Sequence, residues 1–100
     1  MCGAPLQTPT LPANIDPEKE TVLYGEVRDA EGFPVGGAYV RLLDEIGEFT
    51  AEVVTSPEGS FRFFAAPGGW TLSVLHAKGK ARAEVTADGP GLFGQALVLQ

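Results

Sequence analysis

This 100-residue sequence holds one cysteine, one histidine and three serines. A single cysteine excludes an internal disulfide, and with one histidine beside it no multi-cysteine zinc site or iron–sulfur cluster can be built within one chain. Positive charge is scarce as well. Seven Lys and Arg stand against thirteen Asp and Glu, a net charge of −6 at pH 7, which disfavours phosphate backbones and anionic lipid as partners. Neither nucleic acid nor a membrane is therefore expected to bind. No run approaches the roughly 18 apolar residues of a membrane span, and no charged leader with an apolar stretch opens the chain, so the expected location is cytoplasmic. Cys2 follows only Met1, whereas a lipid-modified cysteine follows a hydrophobic stretch. Helical periodicity is missing too: Asp16-Pro17-Glu18 has the chemistry of a helix start, but no amphipathic repeat follows it.

What is present is a β pattern. Apolar residues make up 44% of the chain, enough for one compact core. Residues 1–19 hold Pro5, Pro9 and Pro12 with little to bury and are expected to form an extended arm. From residue 20 onward, short runs rich in β-branched and aromatic residues are separated by Gly, Pro and Asp. We place strands at about 20–28, 37–44, 48–55, 60–66, 69–77, 80–87 and 92–99. The expected fold is all-β, a single antiparallel β-sandwich of about seven strands over 20–100.

Alternation assigns the faces. Ala38, Val40 and Leu42 share one side and Tyr39, Arg41 and Leu43 the other. Phe49, Ala51 and Val53 alternate with Glu48, Thr50 and Glu52. Phe61 and Phe63 oppose Arg62 and Phe64, and Trp70, Leu72 and Val74 oppose Thr71 and Ser73. The first-named sets are expected to form the inter-sheet core. Between strands, Asp29-Ala30-Glu31-Gly32-Phe33-Pro34 supplies an Asp to close a side-chain turn and a Gly for positive φ. Ser56-Pro57-Glu58-Gly59 suits a type I turn, and Lys78-Gly79-Lys80 a tight reversal.

Three segments carry a resemblance. Gly25 to Val40 (GEVRDAEGFPVGGAYV), Glu58 to Phe63 (EGSFRF) and Pro67 to Leu72 (PGGWTL) resemble carboxypeptidase regulatory-domain-like sandwiches, which are prealbumin-like. Such modules are usually non-catalytic, so the likeness implies a binding or scaffold role without naming a ligand. The Met1-Cys2-Gly3 start, Asp16 to Val22, Val40 to Asp44, Glu48 to Val54 and Phe61 to Gly68 further resemble a small actinobacterial family of unknown function. Its members are commonly encoded beside a rhodanese-type thiosulfate sulfurtransferase. That resemblance implies a link to sulfur metabolism and supplies no catalytic residue.

Four sets of residues are candidates for function. Removal of Met1 would leave Cys2 with a free α-amine beside its thiol, which favours thiolate and suits a sulfur acceptor; the competing reading is an inert tail. His76, Lys78, Lys80 and Arg82 cluster in a hairpin where an anion or a partner's acidic surface can dock, unless they are an ordinary solvated turn. Tyr39, Arg41, Leu43, Arg62 and Phe64 lie opposite the expected core, and together they would have the composition of a protein interface. Asp29, Glu31, Asp44, Glu45 and Glu48 flank two loops, where turn formation accounts for them better than a cation does. Ser73 and His76 lie three apart on one strand, so they point to opposite faces and form no catalytic pair. The ring-opening hydrolases among prealbumin relatives use several histidines and an arginine-rich tail, which one histidine and a Leu97-Val98-Leu99-Gln100 ending do not supply. The expectation is a non-enzymatic accessory of a sulfurtransferase, without cofactor. A sulfur carrier and a homo-oligomeric structural module are its alternatives.

Overall fold

The computed structural model describes residues 20–100. Cys2 and the arm expected over 1–19 lie outside them. The described chain forms β1 (Thr21–Arg28), β2 (Tyr39–Leu43), β3 (Phe49–Val54), β4 (Ser60–Ala65), β5 (Gly68–His76), β6 (Gly79–Ala87) and β7 (Gly91–Val98). Every expected strand is found with its ends displaced by at most two residues. Among the described residues no helix is long and apolar enough to cross a membrane.

The strands divide into a three-stranded sheet, ordered β4-β1-β7, and a four-stranded sheet, ordered β3-β2-β5-β6. All pairings are antiparallel except one. β1 and β7 run parallel in register from Thr21 opposite Gly91 to Arg28 opposite Val98, which corrects the expectation of a wholly antiparallel sandwich. The reason is topological. A hairpin forces its strands antiparallel, whereas β1 and β7 are separated by every other strand, and so long a crossover leaves their relative direction free.

The inner faces meet in one core. Leu23, Val27, Phe61, Phe63 and Leu97 come from the three-stranded sheet, and Val40, Leu42, Val53, Leu72, Val74, Val85 and Ala87 from the other. Burying each Leu, Val or Phe is worth about 1.5–3 kcal/mol. The rings of Phe61 and Phe63 lie 6.2 Å apart between centroids and are tilted by 59°, a geometry aromatic pairs favour.

Three reversals share one five-residue design. In Asp29–Phe33, Asp44–Glu48 and Ser56–Ser60 the fourth residue is a glycine whose N–H donates to the carbonyl of the first, at 3.0, 3.0 and 2.8 Å. The first residue's N–H then donates to the carbonyl of the fifth, at 2.9, 2.9 and 3.0 Å. Gly32, Gly47 and Gly59 hold φ of 92°, 84° and 80°, where a side chain is strained. Gly59 is further constrained, because a Cβ there would stand 2.5 Å from the Val27 carbonyl oxygen. In each turn the first side chain closes the loop. Asp29 Oδ1 accepts from the N–H groups of Glu31 and Phe33, Asp44 Oδ1 from those of Ile46 and Glu48, and Ser56 Oγ from that of Ser60. The reversal between β5 and β6 turns on Ala77 and Lys78, one residue earlier than expected.

Face assignment by alternation holds for β2, β4 and β5 and fails for one residue of β3. Phe49, expected in the core, is 60% exposed. The register slips between Leu42, which faces Ala51, and Leu43, which faces Phe49. Thr50 is the extra residue of that bulge, so Phe49 joins the outward parity of Leu43.

Candidate functional site: the outer face of the four-stranded sheet

Register assembles this face as three rows across β3, β2, β5 and β6. The first row is Val54, Tyr39, Leu75 and Lys80. The second is Glu52, Arg41, Ser73 and Arg82, and the third Phe49, Leu43, Thr71 and Glu84. Each comes from alternation on its own strand, with Leu42, Leu72 and Val74 turned inward on the same strands. Tyr39 is 46% and Leu75 62% exposed, and they stand directly opposite one another across β2 and β5. A tyrosine and a leucine side by side in water are an unfavourable surface unless something covers them.

The guanidinium of Arg41 is held in place. Its Nε donates to Glu52 Oε2 at 2.8 Å, and it lies 5.9 Å from the Phe49 ring centroid. The ring's electron-rich face attracts the cation, and the carboxylate orients it. Arg82 sits farther along the same row, beside a shallow depression that Asp44, Glu45 and Glu84 also line. Apolar side chains flanked by arginines are the composition of protein contact surfaces, where Tyr and Arg contribute most of the binding energy.

The structure regroups the residues singled out from sequence. Tyr39, Arg41 and Leu43 share this face, but Arg62 and Phe64 lie on β4, in the other sheet. The expected interface set is thus split between two faces that point away from each other, because consecutive strands β3 and β4 belong to different sheets. The cationic set is split too. Lys80 and Arg82 are on this face, whereas Lys78 turns to Asp29, with Nζ 3.6 Å from Oδ2. His76 has the inward parity of Leu72 and Val74, and its Nδ1 accepts from the Lys78 N–H at 3.1 Å. Its ring closes the turn. Three of the five interface residues and two of the four in the cationic set therefore meet on one surface. Leu75 and Phe49 complete it without having been singled out: parity on β5 already turned Leu75 outward, but nothing in the sequence marks the bulge that exposes Phe49.

Asp29 has a displaced pKa. The Phe33 N–H holds it below the ordinary carboxylate value, against the opposing effect of burial, with help from the Glu31 N–H and Lys78. It ties the β5–β6 hairpin to the end of β1, a structural duty. Among the described residues no three His, Cys, Asp or Glu side chains come together to hold a metal.

Comparison with known proteins adds a family and a fold. The family model described as "Protein of unknown function (DUF1416)" matches residues 2–99. Uncharacterized proteins Rv0814c and Rv3118 of Mycobacterium tuberculosis are each 59% identical over 92 residues, which is 92% of this chain and 92% of theirs. An uncharacterized protein of Mycolicibacterium smegmatis is 55% identical over 82 residues, 82% of this chain and 91% of its own. Among solved structures, catechol 1,2-dioxygenase from Pseudomonas arvilla C-1 superposes on 99% of this chain with a TM-score of 0.64 at 16% identity, and this chain spans 58% of that enzyme's. The dioxygenase domain of a carbohydrate-binding fusion protein from Streptomyces sp. SirexAA-E superposes with a TM-score of 0.58 at 11% identity, over 100% of this chain and 91% of its own. At such identities the likeness is one of fold, and a sandwich of this kind hosts many activities.

Proposed function

This chain belongs to the DUF1416 family, and from that premise we propose that it is a non-catalytic binding module that docks on another protein through the outer face of its four-stranded sheet. The observation that carries this reading is the exposed Tyr39–Leu75 pair with Arg41 and Arg82 in the adjoining row. The partner it fits presents an apolar centre with carboxylates at its rim, since the cations Arg41, Lys80 and Arg82 border the apolar pair on this side. The resemblance to a family encoded beside sulfurtransferases supports a rhodanese-type thiosulfate sulfurtransferase as that partner, with a role in sulfur metabolism.

The test is a titration of the full chain against the purified sulfurtransferase of the same genome. Tyr39→Ala with Leu75→Ala lowers the affinity by at least about tenfold, the effect of removing interface anchors, and leaves the melting temperature nearly unchanged. Lys80→Glu with Arg82→Glu slows association and weakens its dependence on salt. Phe64→Ala, on the opposite face, changes nothing. Absence of binding, or binding lost with Phe64→Ala and kept with Tyr39→Ala and Leu75→Ala, overturns the reading.

A further inference from the structure

Among the described residues the sandwich has four edge strands, and three of them carry charge: β3 holds Glu52 and a bulge, β4 holds Arg62, and β6 holds Lys80, Arg82 and Glu84. Charges and bulges are the devices by which proteins keep sheet edges from pairing. β7 has neither: Gly91-Leu92-Phe93-Gly94-Gln95-Ala96-Leu97-Val98 contains no charged residue, no proline and, in its pairing with β1, no register shift.

The direction of its backbone groups follows from two hydrogen bonds. Gly91 N–H donates to the Glu20 carbonyl at 2.9 Å and Leu99 N–H to the Arg28 carbonyl at 2.8 Å. Odd-numbered residues of β7 thus turn their N–H and C=O toward β1, and Leu92, Gly94, Ala96 and Val98 turn theirs away. Among the described residues no strand forms a ladder along that side from Leu92 to Val98; β6 is the strand that lies nearest to it and bonds to it beyond Val98. Past its end, Gln100 N–H donates to the Lys80 carbonyl, and within it the Gln95 side-chain amide donates to the Ala96 carbonyl at 2.9 Å, a local substitute for a neighbouring strand.

We propose that this edge pairs with β7 of a second copy, antiparallel about a two-fold axis at Gln95, and so joins two three-stranded sheets into one of six strands. A net charge of −6 on each copy makes two copies repel wherever acids meet, and β7 is the edge where none do. The register is self-complementary. With the axis at Gln95, Leu92 faces Val98 of the second copy and Gly94 faces Ala96, so every outward-turned backbone group is in a hydrogen-bonded pair. Leu92 and Val98, 43% and 45% exposed, then cover each other at both ends while the two small residues meet at the centre. This pairing uses an edge, not the face assigned to docking above, and is independent of that reading.

Sedimentation of the full chain from micromolar to millimolar concentration tests it. The expected result is a monomer–dimer equilibrium, with the amides of Leu92, Gly94, Ala96 and Val98 protected from hydrogen exchange only in the dimer. Leu92→Lys with Val98→Lys sets cations opposite cations and raises the dissociation constant at least about tenfold, although it lowers the chain's net negative charge. Leu92→Lys with Val98→Glu sets opposite charges in register and restores the dimer. A monomer mass at every concentration overturns the proposal, as does a dimer indifferent to the double lysine variant. Unchanged circular dichroism of both double variants shows that the fold is intact, and Tyr39→Ala with Leu75→Ala leaves the dimer as it was.

Discussion

β3 and β4 are both six-residue edge strands, joined by the Ser56–Ser60 turn, and both alternate apolar with polar residues. Phe61 and Phe63 of β4 are buried and Phe49 of β3 stands in solvent. Alternation alone does not separate them. What differs is the partner: β4 pairs with β1 through six residues without a slip, whereas β3 passes a bulge before it reaches Phe49. A single extra residue therefore moves an aromatic from core to surface, where Arg41 takes it up as part of the docking face.

The largest effect that tests this contrast is a pair of truncations followed by denaturant unfolding. Phe61→Ala leaves a cavity between the sheets and costs about 3–5 kcal/mol, while Phe49→Ala costs less than about 1 kcal/mol, since it loses one exposed cation–ring contact. Equal costs would return Phe49 to the core.

A smaller effect sits where the chain passes from β3 to β4. Thr55 is wholly buried, donates through Oγ1 to the Val35 carbonyl at 2.7 Å and accepts from the Ala38 N–H at 2.9 Å. Its backbone is bonded to Gly37 and Ala38 besides. Thr55→Val keeps the shape and strands a buried donor, at about 1–3 kcal/mol, and faster exchange at Ala38 is the local readout.

The smallest effect concerns a tie between the β5–β6 hairpin and the end of β1, Asp29 with Lys78. Because the folded state lowers the Asp29 pKa below its ordinary value of 3.8, its contribution is present above that value and is lost as pH falls through the lower, folded one. Melting temperature followed downward from pH 5 falls less steeply for Asp29→Asn than for the parent chain, and at pH 7 the variant is the less stable of the two.

Much of the fold was legible because its determinants are local. Gly32, Gly47 and Gly59 each end a turn that an Asp or Ser begins, and alternation in β2, β4 and β5 depends only on the two-residue period of a strand. The parallel pairing of β1 with β7 left no such mark, since no turn connects them. The candidate site was legible only in halves. Tyr39, Arg41 and Leu43 read as outward from their own strand, and Lys80 and Arg82 from theirs, but which strands lie side by side is a property of sheet order.

By itself, then, the sequence determined the strands, their turns and most inward and outward choices, because each rests on interactions within a few residues. Sheet order, the direction of β7, the bulge at Thr50 and the union of Tyr39 with Leu75 and Arg82 were decided by tertiary structure. The physical reason is that sealing the core from water depends on packing the two inner faces against each other, and residues far apart in the chain are brought into register only when those faces meet.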